Sequence, residues 1–350
     1  MRSTVCIVRE KLSFEVGRTV YITPPISPFS NNSKAQSSFH LKALALSIMA
    51  AINNCATASA VALLICFLAV IPEPSFGELV KEPQVVLEYH KGTLLKGSIT
   101  VNLIWYGKFT PTQRSIIVDF LESLKTVDAP TPSVESWWKT TEKYKGGGPS
   151  TIVIGKQILE ENCSLGKTLK DDQIVQLASK GGNTEGCVNV VLTDKDVSVD
   201  GFCKRCGSHG STAGEKQVAY AWVGNSETQC PGQCAWPFHK PIQGPQTPPL
   251  VAPNGDVGID GMIINLATVL AGTVTNPFKN GYFQGPAEAS MEAVSACTGM
   301  FGTGSYPGNP GKVLVDKTTG ASYNAHGANK RKFLLPAMWD PAKSACAPLV

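Results

Sequence analysis

The chain of 350 residues carries a formal net charge of only +4, and six basic against three acidic residues precede Glu78, so the remainder is nearly neutral. Such balance excludes the basic footprint of a nucleic-acid binder or of a protein held on an anionic membrane. The length from Glu78 onward suffices for one large domain or two small ones with a proper core.

The amino-terminal stretch reads as two pieces. Residues 1–48 form a basic, Ser-containing extension with Arg2, Arg9, Lys11 and Arg18, expected either to lie outside the native translated chain or to act as an organelle transit peptide. Residues 49–77 read as a signal peptide starting at Met49: Ala56–Val70 is almost wholly apolar, and small Ser75 and Gly77 precede a cut before Glu78. That run is short for a membrane span, with an uncleaved signal anchor as the alternative. Residues 78–350 are then the functional body, expected to be exported, to hold no membrane span and to meet an oxidising compartment where thiols pair.

In chain order, Ser98–Tyr106 is the first strong element: Ile99, Val101, Leu103 and Trp105 alternate with Thr100, Asn102 and Ile104, the period of a buried strand. Thr110-Pro111 opens a helix with Ile116, Ile117, Phe120, Leu121 and Leu124 at helical spacing. A second helix is expected after Pro132, capped by Ser133, carrying Trp137 and Trp138 and broken by Gly146–Pro149. Thr151–Ile154 reads as a strand, Lys170–Ser179 as a short helix, and Val188–Leu192 and Gln217–Val223 as strands. Six prolines from Pro231 to Pro249 forbid regular structure across Cys230–Pro253. The most regular helix follows. Asn254 or Asp256 caps it, Ile259, Ile263, Leu266, Ala267 and Leu270 line one face, and Met262, Ile264 and Val269 make the rest apolar. It is expected to be buried and central, ending at Asn276-Pro277. Lys312–Val315 and Lys332–Met338 are expected to be strands that close the sheet. Without a steady βαβ rhythm, the pattern points to an α+β (mixed α/β) fold in a single disulfide-stapled domain.

Of eleven cysteines, eight follow Glu78: Cys163, Cys187, Cys203, Cys206, Cys230, Cys234, Cys297 and Cys346. An even count in an exported chain reads as bridges, with the connectivity left open. The spacing of Cys203-Lys-Arg-Cys206 and Cys230-Pro-Gly-Gln-Cys234 keeps a zinc ribbon as the alternative. Asn162-Cys163-Ser164 is a glycosylation sequon, whose occupancy a bridged Cys163 would lower. His209, close after Cys206, offers a thiolate–imidazole pair only if Cys206 is free. Asp256 with Asp260, and Glu288 with Glu292, stand one helical turn apart and offer paired carboxylates, against a plain role as caps or solvated faces. Trp137, Trp138, Trp222 and Trp236 read as core aromatics or as a sugar-stacking surface. There is no His-Glu-x-x-His, Gly-x-Ser-x-Gly or P-loop pattern.

The runs Tyr220-Ala-Trp-Val-Gly-Asn-Ser226, Cys230-Pro-Gly-Gln-Cys-Ala-Trp-Pro-Phe-His239, Gly281-Tyr-Phe-Gln-Gly-Pro286, Glu292-Ala-Val-Ser-Ala-Cys-Thr-Gly299 and Asp316-Lys-Thr-Thr-Gly-Ala-Ser-Tyr-Asn-Ala-His-Gly327 resemble the plant EXORDIUM or phosphate-induced protein family. The likeness covers Glu78–Val350, and the extension before Met49 departs from it. The resemblance implies an apoplastic protein tied to cell expansion, brassinosteroid-linked growth and carbon or phosphate status. It carries over no catalytic residue and no cofactor. The partner is expected to be an unidentified cell-wall, peptide or receptor ligand, with no nucleic acid.

The helix before Thr275-Asn276-Pro277 also resembles the active helix of certain zinc peptidases. Aligned that way, Thr268 falls at the first ligand, Val269 at the general base and Gly272 at the second ligand, and none can bind metal or move a proton there. The expectation is a degenerate zinc-peptidase-like scaffold whose cleft binds a ligand without catalysis. An extracellular hydrolase with an unrecognised site is the competing reading. A bridged structural wall protein is the third, and the lack of repeats speaks against it.

Overall fold

The structure is a computed structural model and describes residues 85–350 apart from 126–127, 146–150, 214–216, 244–245, 287–288 and 307. The extension 1–48, the leader 49–77, the glycine break at 146–149 and Glu288 therefore lie outside the described residues.

Strand β1 (Ser98–Tyr106) is the hub, apolar on both faces because both are covered. It pairs in parallel with β2 (Thr151–Glu160) on one side and with β3 (Cys187–Thr193) on the other. Beyond them, β4 (Gly207–Ser211) and β5 (Ala219–Gly224) form an antiparallel pair, and β5 joins β3 in parallel. The order across the sheet is β2-β1-β3-β5-β4.

The chain also forms helices α1 (Pro111–Ser123), α2 (Val134–Trp138), α3 (Asp171–Ser179) and α4 (Val257–Thr275). Ile99, Val101, Leu103 and Trp105 share one core with α1 and α4, whereas Ile104 and Tyr106 share another with Ile174 and Leu177 of α3. Helices on both faces of a mostly parallel sheet make the architecture mixed α/β. The strands expected to close the sheet do not join it. Leu314–Val315 pairs with Ser322–Tyr323, Lys332–Phe333 with Ala325–His326, and Met338–Asp340 with Ala345–Ala347, all in two-stranded ribbons. One sheet edge is taken by β4, and at the other, β2, no further strand pairs among the described residues.

Capping fixes where the helices start. Thr110 and Gln113 form a reciprocal capping box on α1, and Ser133 does the same with Ser136 on α2. Of the two candidate caps for α4, Asp256 performs the role, its Oδ1 accepting from Ile259 N at 2.9 Å. All but three of the 19 residues of α4 are buried. Its length and apolarity would suit a membrane span, yet here it is a core helix, with 83% of its most apolar 18-residue stretch buried.

One polar residue interrupts the sheet. Opposite Asn102 on β1, Gly155 and Lys156 of β2 stand where one residue should, a β-bulge. Asn102 fills it: Oδ1 accepts from Lys156 N at 2.9 Å and Nδ2 donates to Asn189 Oδ1 at 2.9 Å. A Cβ on Gly155 would lie 2.4 Å from Asn102 Oδ1, so the bulge requires glycine there.

Three disulfides staple the body: Cys203–Cys230, Cys206–Cys234 and Cys297–Cys346. The first two join the loop before β4 to the helical turn Pro231–Cys234. Their four sulfurs are bonded to one another, which overturns the zinc-ribbon alternative. Cys163 and Cys187, also expected to bridge, are free thiols. Cys187 begins β3 opposite Thr100, whereas Cys163 follows β2 past the Tyr106–Glu160 pairing, at the other end of the sheet. Six residues of strand separate those levels, about 20 Å, far beyond the roughly 7 Å a disulfide spans.

Candidate functional site

Four segments meet near the amino end of α4 around a cavity of about 690 Å³, a size within the usual range for small-molecule sites. Helix α1 contributes Asp119, the loop before α4 contributes Asn254, the turn after Leu314–Val315 contributes Asp316 and Thr319, and the turn Ala328–Lys330 leads into Arg331 and Lys332. Asp119 is clamped from two sides: Arg331 Nε donates to Oδ2 at 2.7 Å and Asn329 Nδ2 to Oδ1 at 2.7 Å. Arg331 spends its other nitrogens on Asn254 Oδ1 at 3.2 Å and Ser115 Oγ at 3.0 Å.

Behind this wall, Asn254 donates through Nδ2 and its backbone N to the two oxygens of Asp260, at 2.6 and 2.8 Å. Asp260 is only 2% exposed. Burial pushes its carboxyl up to about 7, against the opposing pull of the Asn254 hydrogen bonds. On the far side, Lys332 pairs with Asp316 and sits 4.6 Å over the Tyr323 ring. The Lys332 ammonium, with the Thr318 and Thr319 amides, holds the Asp316 carboxyl down to about 2.

Asn329 and Lys330 both adopt left-handed backbone, φ 54° and 61°. That conformation costs a non-glycine residue roughly 1–2 kcal/mol. The Asn329–Asp119 bond and the Arg331 N to Ala328 O turn hold it in place. Exposed Lys330 lines the cavity, and among the described residues it has no ion-pair partner.

A second polar cluster lies further along α4. Gly272 leaves a gap in which His209 Nε2 of β4 meets Glu292 Oε2 at 2.6 Å. Glu292 Oε1 also accepts from Asn276 Nδ2 at 2.8 Å and Ser290 Oγ at 3.2 Å. Burial pushes the Glu292 carboxyl up, but these three donors outweigh it and hold it below its ordinary value. His209 Nδ1 is buried without a hydrogen-bond partner.

The structure redistributes the residues singled out from sequence. His209 pairs with Glu292 and not with Cys206, which is bridged. Asp256 and Asp260 do not act as a carboxylate pair: Asp256 caps α4 and accepts from Gln113 Nε2 at 3.0 Å, while Asp260 faces Asn254. Trp137, Trp138 and Trp222 are core residues, with Trp137 Nε1 donating to Pro336 O and Trp222 Nε1 to Thr193 Oγ1. Trp236 is half-buried against Phe301. Asn162 is exposed in the turn after β2, next to the unbridged Cys163. Thr268 donates to Ile264 O, Val269 is buried and Gly272 makes room for Glu292, so the three positions offer no metal ligand. No three His, Cys, Asp or Glu side chains converge as a metal site among the described residues. The cavity residues Lys330 and Arg331 went unnoticed in the sequence, although Asn-Lys-Arg-Lys at 329–332 is a dense basic run in a nearly neutral body.

A family model described as the phosphate-induced protein 1 conserved region matches residues 87–349. Among curated proteins, Protein EXORDIUM-like 2 of Arabidopsis thaliana is 64% identical over 286 residues, covering 79% of this chain and 93% of that protein. Protein PHOSPHATE-INDUCED 1 of Nicotiana tabacum is 61% identical, covering 78% and 91%. Protein EXORDIUM of Arabidopsis thaliana is 60% identical, covering 76% and 90%. No solved structure matches the chain.

Proposed function

The chain belongs to the phosphate-induced protein 1 family, a plant growth-related group that includes the EXORDIUM proteins, and on that premise we propose that it is an exported, non-catalytic regulator of cell expansion that works by binding a ligand. The ligand is a cell-wall component, a peptide or a receptor surface, met in the apoplast. The observation that carries the reading is the cavity beside α4. Each of its two carboxylates, Asp119 and Asp316, is already tied to a cation, an arrangement suited to holding a molecule and poorly suited to exchanging protons with it. Three disulfides agree with an oxidising destination. On this reading α4 descends from a metal-binding helix, with His209 and Glu292 filling the space beside Gly272, and exposed Asn162 carries a glycan.

Expression of the full chain with a carboxy-terminal tag in plant cells tests both halves. The protein should be recovered from the extracellular fluid with its amino terminus at Glu78, and overexpression should enlarge cells. Lys330→Glu should be exported and folded equally well but lose the growth effect. Retention inside the cell, or undiminished growth with Lys330→Glu, would overturn the reading.

A further inference from the structure

The charges around the cavity are uneven. Three cations, Lys330, Arg331 and Lys332, face two carboxylates, Asp119 and Asp316, leaving one positive charge over. Arg331 is not the free one, since its guanidinium is spent on Asp119, Asn254 and Ser115. Lys332 is occupied by Asp316. The surplus therefore resides on Lys330, exposed and held in a left-handed turn. A ligand bearing one negative charge neutralises it. A phosphate dianion would bring a second charge against Asp119 and Asp316, where like charges repel.

The other lining groups narrow the class. A carboxylate has about four lone-pair sites, and those of Asp119 and Asp316 are only partly used. With the Thr319 hydroxyl they form a wall of acceptors suited to hydroxyl donors. The apolar part is aliphatic, made by Val251, Ala252, Pro253 and Ala321, and among the described residues no aromatic side chain lines the cavity. Protein and peptide hot spots centre on aromatic and Arg anchors in well-packed, desolvated pockets, whereas this lining is mostly charged and polar groups with a few small aliphatic ones. The CH face of a sugar ring fits the aliphatic wall, its hydroxyls fit the acceptors, and a single carboxylate fits Lys330. Resting on the ligand-binding reading above, we propose that this cavity takes a uronate unit of an acidic polysaccharide, with Lys330 as the residue that selects for its carboxylate.

The protein purified from the medium of cells expressing the full chain should be titrated calorimetrically with oligogalacturonate. The same titration should use its methyl ester, a cello-oligosaccharide, inorganic phosphate and oligoglutamate. Oligogalacturonate should bind, and methyl esterification should weaken it at least tenfold. Lys330→Gln should lose a similar factor with an unchanged melting temperature, and Lys330→Arg should keep the affinity. Equal binding of the ester, of phosphate or of oligoglutamate, or full affinity in Lys330→Gln, would overturn the proposal. The cell-expansion assay separates the two levels. If Lys330→Gln abolishes growth activity while no saccharide binds, the sugar class is wrong and the cavity reading stands. If Lys330→Gln retains growth activity, the cavity reading itself fails.

Discussion

Glu292 Oε2 stands 2.6 Å from His209 Nε2 across the space that Gly272 leaves open on α4. A methyl group on Gly272 would come within 2.3 Å of Glu292 Oε2 and 2.9 Å of His209 Nε2. Alanine gains up to about 1 kcal/mol of helix propensity over glycine, but overpacking a buried site costs roughly 1–3 kcal/mol. Gly272→Ala should therefore destabilise the protein, by a shift of the urea midpoint at constant slope. A more stable variant would show that the pair yields easily.

Stability should depend on pH from two sides. The folded Asp260 carboxyl sits at about 7, above its unfolded value of roughly 3.9. The native state thus keeps a proton that the unfolded chain releases, so this stabilisation is full below about pH 4 and is lost as pH rises through about 7. At about 1.4 kcal/mol per unit the ceiling is roughly 4 kcal/mol. Glu292 works in the opposite sense: held low, it contributes above its unfolded value and is lost as pH falls through the folded one. Denaturation profiles from pH 3 to 8 should show an interior maximum. Asp260→Asn should flatten the alkaline limb alone, and an unchanged limb would place the titrating group elsewhere.

Arg331 locks three segments together through Asp119, Asn254 and Ser115. Replacing it with Met leaves the mostly buried Asp119 without its cation, at a cost of roughly 1–3 kcal/mol. A double-mutant cycle with Asp119→Asn should recover a large part of that loss. Additive effects would mean that the two residues act independently.

The sulfur assignments can be read by labelling. Without reduction, the body from Glu78 onward should yield two alkylated thiols, Cys163 and Cys187. Half-exposed Cys163 should react before buried Cys187, and both slowly, because burial raises each thiol above its ordinary value. Removing the Cys297–Cys346 bridge, which closes a separation of 49 residues, should cost about 4 kcal/mol by chain entropy. Labelling at Cys203 or Cys206 would contradict the pairing.

What could be read from sequence was whatever had a local physical signal. The alternation of Ile99 to Trp105, the Thr110-Pro111 cap and the apolar run of α4 each announce themselves within a few residues, and the structure places a strand and two helices there. Strand β4 did not, because Gly-Ser-His-Gly-Ser has no strand character and is held only by its pairing with β5. Its position decides where His209 points, so the partner of His209 was illegible too: Glu292 lies 83 residues away. The same holds for Asp119 and Arg331, which are 212 residues apart in the chain and 2.7 Å apart in the fold. Counting cysteines overshot because parity says nothing about which end of a sheet each one occupies.

Among the described residues, β2 leaves Val153 and Leu159 exposed along an edge that no strand covers, the kind of margin on which copies of a chain stack into fibrils. The kink at Gly155 and Lys156 breaks its straight outline midway and sets a charged residue on it. A second molecule therefore finds no continuous ladder to extend, and crowding should leave the protein dispersed instead of spun into β-rich aggregates.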